Sequence, residues 1–293
     1  PALWRDDPGG LVGRARAERM GRLFVAVETD GGRLRDEAAF AHFVALARAS
    51  GIETVVVEGD PGMALDEGRA VALSRLEALL AYQARAVPDA RFAGIQYDIE
   101  PYILPGYAAA PQPILQGWAG TVRALAARAG PLPLDLVLPF WLAGDEAAAG
   151  IVLPAIRESA ASVTVIAYRT SDAAIQAAAE PLLAWGAAAG KPVRVALETG
   201  PVADETSRVY AKSHAGNMVA VPAGGGTLIL LLGRSIKPLT GQAFSLKRET
   251  VAPAGQVSFL GDGARLEATA DALAAVLPAW RSFSGLAFHG LIQ

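Results

Sequence analysis

The feature of this sequence that most constrains its fold is a regular alternation of two kinds of segment. Short runs rich in Val, Leu and Ile each lead through a polar turn into a longer stretch, rich in Ala, Leu and Arg, with helical periodicity. This alternation predicts parallel strands joined by helices. Seven strands are predicted, at 23–28 (LFVAVE), 54–60 (TVVVEGD), 93–100 (AGIQYDIE), 134–141 (LDLVLPFW), 163–169 (VTVIAYR), 193–200 (VRVALETG) and 284–290 (SGLAFHG). Helices are predicted at about 35–50, 66–87, 113–129, 146–160, 172–189 and 264–280.

An eighth strand is expected at the start of the chain. The segment LVGRARAERMG has the pattern of a helix, so its leading strand should lie at or before PALW, or upstream of residue 1. Eight βα units predict an α/β fold of the (β/α)8 TIM-barrel type, as a single domain over residues 1–293. An open doubly wound sheet is the alternative, but no GxGxxG or phosphate-binding loop follows the first strands.

Residues 204–262 break the alternation, because they are rich in Thr, Val, Ser, Gly and Pro and lack helical periodicity. They predict a β-rich insertion after strand seven, with the three glycines at 224–226 forming a hairpin turn before the apolar run TLILLLG. An insertion at this position would rise from the C-terminal face of the barrel and form one wall of a cleft. The alternative is a loop without a role in the cleft.

Composition excludes several classes of function. A net charge of −3 gives no large basic surface, so nucleic acid is not an expected partner. The absence of cysteine excludes disulfides and thiolate chemistry, and His42, His214 and His289 form no zinc motif, so neither a metal nor another cofactor is expected. No apolar run reaches the ~20 residues of a membrane span. The protein is expected to be bacterial and secreted, with a periplasmic or extracellular location after removal of a signal that is not present in this chain. The sequence does not indicate an oligomeric state.

The stretch FAGIQYDIEPY, residues 92–102, places carboxylates where a strand should be apolar. Strand alternation puts Gln96, Asp98 and Glu100 on one face. At the end of a barrel strand that face points into the mouth, where polar groups are costly unless they bond to each other or to a ligand. The structural alternative is an Asp that closes the top of the barrel by accepting backbone N–H bonds.

The same stretch resembles the fourth strand of family 18 glycoside hydrolases, the chitinase-like barrels, whose pattern is Phe-Asp-Gly-x-Asp-x-Asp-x-Glu. The last two acids are present as Asp98 and Glu100, whereas Ala93 and Gln96 replace the first two. The resemblance implies that Glu100 is the general acid that protonates the glycosidic oxygen, with Asp98 beside it to orient it.

A second match is VIAYR, which resembles the Met-x-Tyr-Asp of the sixth strand in that family. It implies that Tyr168 faces the sugar, with Arg169 in place of the Asp. That family often carries an insertion after strand seven, as predicted here, but its strand-eight Trp is replaced by Phe288 and His289.

A competing resemblance is to the clan A retaining glycosidases, whose acid/base Glu ends strand four and whose nucleophile Glu ends strand seven. Glu100, followed by Pro101, and Glu198 fit those positions, whereas Ile99 replaces the usual Asn. Carboxyl groups ~5 Å apart would permit a covalent intermediate, and ~6.5–9.5 Å would leave room for a water. The structural alternative for Glu198 is a salt bridge to an Arg or Lys of the barrel.

Other side chains at predicted strand ends are candidate sugar contacts. Aromatic rings stack on the apolar faces of sugars, although an aromatic at the barrel seam is also common core material. The candidates are the aromatic residues Tyr102, Trp141 and Tyr168, and the polar residues Gln96, Arg169, His289, Glu28, Glu58 and Asp60.

The sequence therefore predicts a glycoside hydrolase with a carbohydrate ligand, a polysaccharide or oligosaccharide. The alternative is a catalytically silent barrel that binds glycan or has a structural role in the cell envelope. The replacements Ala93, Gln96 and Arg169 favour that alternative.

Overall fold

The computed structural model describes residues 3–290, and positions 1–2 and 291–293 lie outside the described residues. The strands are β1 (Arg22–Ala26), β2 (Thr29–Asp30), β3 (Arg33–Leu34), β4 (Glu53–Glu58), β5 (Gly94–Tyr97), β6 (Leu134–Pro139), β7 (Ser162–Ile166), β8 (Val193–Glu198), β9 (Glu205–Ser213), β10 (Gly216–Ala223), β11 (Gly226–Ile236), β12 (Gln242–Ala252) and β13 (Phe283–His289). The helices are α1 (Leu3–Asp6), α2 (Pro8–Ala17), α3 (Glu37–Ala49), α4 (Asp66–Arg85), α5 (Pro111–Ala129), α6 (Glu146–Ser159), α7 (Asp172–Ala189) and α8 (Gly263–Val276).

Seven strands form one parallel sheet in the order β1-β4-β5-β6-β7-β8-β13. The longer helices α3 to α8 alternate with these strands, as the sequence predicts. The sheet is curled, because the guanidinium of Arg194 on β8 lies 5.1 Å from the centre of the Phe24 ring on β1, although four strands lie between β1 and β8 in the sheet order. This architecture is the predicted (β/α)8-barrel type.

The core lies between the strands and the surrounding helices. Ile95 and Tyr97 of β5 are buried on the helix-facing side, and Phe40 of α3 and Tyr82 of α4 pack in the same cluster with ring centroids 5.3 Å apart. Burying each such side chain contributes about 1.5–3 kcal/mol. The packed helices therefore hold the strand ends, and the side chains that follow them, in fixed positions.

The predicted eighth strand is not found among residues 3–290. Leu3–Asp6 is a short helix, whose Trp4 packs edge-on against Phe40 at 5.4 Å; positions 1–2 of the predicted strand lie outside the described residues. In the described part of the chain β1 and β13 are consequently the edges of the curled sheet. A cavity of about 790 Å³ lies beside them at the N-terminal ends of the strands.

The insertion after β8 is β-rich, as predicted. Strands β9 to β12 form a separate antiparallel sheet in the order β11-β10-β12-β9. The glycine run provides the β10–β11 hairpin turn, where Gly224 and Gly225 have φ values of 55° and 89° that favour glycine. Its predicted role as a wall of the cleft stays a prediction.

The barrel strands end earlier than predicted. Strand β5 ends at Tyr97, whereas the sequence predicted a strand to residue 100, so Asp98 and Glu100 follow the strand. Pro101 begins a short 3-10 turn, and its missing N–H cannot continue a ladder. The carboxylates thus lie in the segment that leaves the sheet, at its C-terminal edge. No helix in the described range 3–290 has the length and apolar character to cross a membrane.

Candidate active site

Asp98 is held at the end of β5 by the backbone. Its N–H donates to the Glu58 carbonyl at 2.8 Å, which extends the β4–β5 ladder one residue beyond the strand. Gly59 lies against this segment so closely that a Cβ there would be 2.1 Å from the Asp98 carbonyl oxygen. The position of Asp98 is therefore fixed from both strands.

The carboxyl group of Asp98 is in an unfavourable setting. Its Oδ1 is buried and has no hydrogen-bond partner among the described residues. Burial, and next the charge of Glu100, raise the pKa of Asp98 to about 6, and His289 opposes the rise. A buried carboxyl oxygen that lacks a partner is costly for folding and available to a ligand.

Glu100 is oriented by Tyr102, whose ring packs against Trp141. The Tyr102 hydroxyl donates to Oε1 of Glu100, and the Tyr102 ring meets Trp141 edge-on with centroids 5.3 Å apart. Burial first, and then the hydrogen bond to Glu100, raise the pKa of Tyr102, so its hydroxyl remains a proton donor. Trp141 is 39% exposed and offers part of its ring to solvent.

Glu198 ends β8 with both carboxylate oxygens occupied. Oε1 accepts from the Gly200 N–H at 2.7 Å, and Oε2 lies 2.6 Å from Nδ1 of His289. The pairing follows from the sheet register, in which His289 of β13 stands opposite Glu198. The predicted salt-bridge alternative for Glu198 thus has a partner, but the partner is a histidine rather than an Arg or Lys.

Tyr168 links Asp98 and Glu100 to the pair formed by Glu198 and His289. We call these five residues, together with Tyr102 and Trp141, the strand-end group. Its ring stacks on His289 at 6.1 Å with an interplanar angle of 12°. The pKa of Tyr168 is raised, chiefly by burial and then by the charges of Glu198, Asp98 and Glu100. Tyr168 thus connects the ends of β7, β8 and β13 through His289 and Glu198, and the charges of Asp98 and Glu100, which follow β5, also act on its hydroxyl.

Some predicted contacts lie elsewhere. Glu58 is buried and bonded to Arg75 of α4 at 3.2 Å, so it faces the helix layer; burial is the main cause of its raised pKa. Glu28 is exposed and paired with Arg35. Asp60 accepts from the Gly62 N–H at 2.8 Å and caps a 3-10 turn. The structure does not bring these three into the group.

Two further candidates are placed in structural contacts. Gln96 points into the barrel, where Nε2 donates to Asp135 at 2.7 Å and to Thr164 at 3.2 Å. Arg169 donates to the Tyr168 carbonyl at 2.7 Å, and its guanidinium lies 4.5 Å from the centre of the Phe140 ring. Arg169 therefore packs beside the group, whereas Gln96 lies below it in the barrel.

Sequence reasoning missed the polar network around Gln96. Asp135, Thr164 and Arg194 are buried inside the barrel; Thr164 donates to Asp135 at 2.7 Å, and Arg194 lies 3.5 Å from Asp135. Burial lowers the pKa of Arg194, and the nearby Asp135 charge opposes this. The signal was present, since each of these residues interrupts an apolar strand.

Ser258 was also missed, and no sequence pattern could have found it. It is buried, forms a bridge beside Glu198, and donates to the Gly200 carbonyl at 2.5 Å. Within residues 3–290, no three or more His, Asp or Glu side chains form a group that could hold a metal ion.

Comparison with known proteins shows which solved structures share this fold. No protein-family model matches the chain, and no curated protein sequence does. Solved structures of a family GH18 chitinase from Cycas revoluta match over 99% of this chain and 92% of theirs, at 13% identity. The TM-score is 0.52 for its complex with allosamidin and 0.50 for its complex with (GlcNAc)3. The fold is that of a family 18 chitinase. At this identity the likeness establishes the chitinase fold alone. The activity has to be argued from the residues of the site.

Proposed function

We propose that the chain is a glycoside hydrolase that acts on a polysaccharide or oligosaccharide, with Glu100 as general acid and Asp98 assisting it. The observation that carries the proposal is that Asp98 and Glu100 directly follow β5 at its C-terminal end in a chitinase-type barrel, with Oδ1 of Asp98 buried and unbonded in the described range and Glu100 bonded to Tyr102. In (β/α)8 enzymes the active site lies at that end.

The contacts of Glu100 suit a proton donor to a glycosidic oxygen. The Tyr102 hydroxyl fixes one carboxylate oxygen and leaves the other without a bond to protein among the described residues. Asp98 keeps its proton up to about pH 6, so a protonated carboxyl group can stand beside Glu100 at mildly acidic pH. General acid catalysis of this kind contributes typically about 10²–10⁴-fold.

The contacts of Glu198 favour this centre over the clan A alternative. A nucleophile must present a free carboxylate oxygen to the sugar, whereas both oxygens of Glu198 are bonded and the side chain is buried. Glu198 instead positions His289, on which Tyr168 stacks. We therefore assign the chemistry to Asp98, Glu100 and Tyr168.

Oligomers of N-acetylglucosamine are the first substrates to test. The solved chitinase of this fold carries (GlcNAc)3 in one of its structures. In the present chain Trp141, partly exposed beside Tyr102, offers an aromatic surface on which a sugar ring could stack.

The second candidate function is glycan binding without hydrolysis. It is favoured by Gln96, which stands where the family pattern has an acid and is tied into the network of Asp135 and Thr164. Under this function the strand-end group would recognise a sugar, and Glu100 would supply a hydrogen bond rather than a proton.

The test begins with a panel of chitin oligomers and of envelope and matrix polysaccharides. On any substrate that is cleaved, Glu100→Gln should lower the rate of hydrolysis by ~100-fold or more while binding is retained, because the amide keeps the shape but cannot donate the proton. Glu180→Gln is the matched control, since Glu180 is exposed on α7, and it should leave the rate unchanged.

A normal rate for Glu100→Gln would refute the proposed mechanism. If no glycan is cleaved but one is bound, and Tyr102→Phe or Trp141→Ala weakens that binding, the second candidate function replaces the first.

A further inference from the structure

The inserted sheet ends in a protruding hairpin, residues 218–231, which we call the apolar hairpin. Strand β12 begins at Gln242, opposite Ala220, so only β10 and β11 continue beyond that level to the turn at Gly224 and Gly225. The two ends of the insertion, Glu205 and Ala252, are paired at the opposite end of the sheet. The hairpin turn is therefore the part of the sheet farthest from its connections to the barrel.

The apolar hairpin exposes aliphatic side chains on both of its faces. Leu228 and Leu230 are 50% and 38% exposed, and Ile229 and Leu231 are 51% and 63% exposed. Because side chains alternate along a strand, the first pair lies on one face and the second on the other. Exposed aliphatic side chains clustered in this way on a protein surface mark an interaction site.

No strand within residues 3–290 pairs with the outer edge of β11. In a hairpin with a two-residue turn, the flanking residues Ala223 and Gly226 form a hydrogen-bonded pair, so the backbone groups of Thr227, Ile229 and Leu231 point outward. Pro222, which has no N–H, stands opposite Thr227, in agreement with this register. A long apolar edge of this kind is normally covered.

The charge of the insertion indicates what covers it. Residues 205–252 carry six Lys and Arg side chains against two Glu, a net charge of +4, in a chain whose net charge is −3. Arg234 and Lys237 follow the apolar run directly, and Leu239 in the next loop is fully exposed. An aliphatic hairpin tip followed by basic side chains fits a bilayer surface that contains anionic lipid. The tip would enter the interface, and the basic side chains would bind the lipid phosphates.

Two other occupants fit less well. A second copy paired along β11 would satisfy its edge but leave leucines exposed on both faces. At the boundary between lipid headgroups and acyl chains, the lipid covers both faces, and headgroups and water can bond the backbone of the edge. A glycan needs aromatic platforms, and residues 205–252 contain only Tyr210 and Phe244.

We propose that the apolar hairpin docks the protein on a membrane surface that carries anionic lipid. The proposal is independent of the glycosidase function, because it uses none of the residues of the strand-end group.

The test is flotation with phosphatidylcholine vesicles that contain or lack phosphatidylglycerol. The protein should float with the anionic vesicles, and added salt should weaken the association. Ile229→Ser combined with Leu231→Ser should weaken it by ~10-fold or more, since apolar area no longer enters the bilayer. Val71→Ser combined with Val276→Ser, at positions 49% and 44% exposed on α4 and α8, is the control and should float as the unmodified protein does.

A second measurement does not depend on the folding of the serine variant. The chain has no cysteine, so Leu239→Cys gives one site for an environment-sensitive fluorophore. Its emission should shift to the blue with anionic vesicles. The proposal is overturned if the emission is unchanged and the protein does not float. It is also overturned if binding is equal on both kinds of vesicle, or if sedimentation gives a dimer that Ile229→Ser and Leu231→Ser convert to a monomer without any vesicle binding.

Discussion

Asp98 is the side chain whose environment differs most from that of a surface carboxyl group. Its Oδ1 is buried with no hydrogen-bond partner in the described range, and the charge of Glu100 acts on it. Strand alternation predicted that Asp98 and Glu100 share the face of the barrel mouth; both follow β5, which ends at Tyr97, and their contact with a sugar stays a prediction. It could equally have shown that Glu58 shares a face with Val56, whose side chain is buried in the helix-facing core. The Glu58 side chain is instead paired with Arg75 of α4, on the side that strand parity indicates.

The raised pKa of Asp98 predicts how the stability of the protein depends on pH. A carboxyl group with a pKa of 3.8 when unfolded and about 6 when folded binds more protons in the folded state between those values. Its contribution is therefore fully present below about pH 4 and is lost as pH rises through 6. Asp98→Asn removes this loss, so above pH 6 the variant should be more stable than the unmodified protein, by on the order of 1–3 kcal/mol.

Urea unfolding of the two proteins between pH 4 and pH 7 measures that difference, which should shrink towards the acid end of the range. Asp89→Asn, at an exposed position, is the control. A difference that stays constant with pH, or that grows towards low pH, would contradict the account of Asp98.

Strand ends are the elements that assemble the site. The order of strands and helices was predictable, because each strand is an apolar run and each helix has its own periodicity. The contacts between strand ends were not, since the His289–Glu198 pair depends on the register of β13 against β8. Nor could the sequence show that Tyr102 turns back onto Glu100.

The substitution Gly59→Ala tests whether the end of β5 must stay packed against the end of β4. An added methyl group would meet the Asp98 carbonyl carbon at 2.6 Å and its oxygen at 2.1 Å, so the backbone of one strand end must shift. Gly59→Ala should destabilise the protein by roughly 1–3 kcal/mol. It should lower kcat on a cleaved glycan much further, by up to ~100-fold, since a displacement of about 1 Å at a reacting group is sufficient.

Thermal unfolding and steady-state kinetics on the same preparation measure both effects. Gly13→Ala in α2 meets no atom within 4 Å and should be neutral or slightly stabilising. Full activity of Gly59→Ala would mean that the position of Asp98 is not critical.

The molecule as a whole combines a curled parallel sheet of chitinase type with a cationic antiparallel sheet inserted after β8. Both parts were predictable in outline, as was the hairpin turn at the glycine run. The seven-stranded sheet of residues 3–290 was less so, because the helical pattern of LVGRARAERMG predicted a leading strand where Leu3–Asp6 is helical. The barrel nevertheless brings strand ends that are distant in sequence, at Glu100 and Glu198, to a common group around Tyr168.

The measurement that tests this account most directly compares Glu100→Gln and Glu198→Gln on one cleaved glycan. Glu100→Gln should lower kcat by ~100-fold or more. Glu198→Gln should stay within ~10-fold of the unmodified enzyme, because Glu198 positions His289 and has no free oxygen for the sugar. Equal and severe losses in the two variants would instead indicate a nucleophile on β8, and a normal rate for Glu100→Gln would contradict the assignment of the general acid.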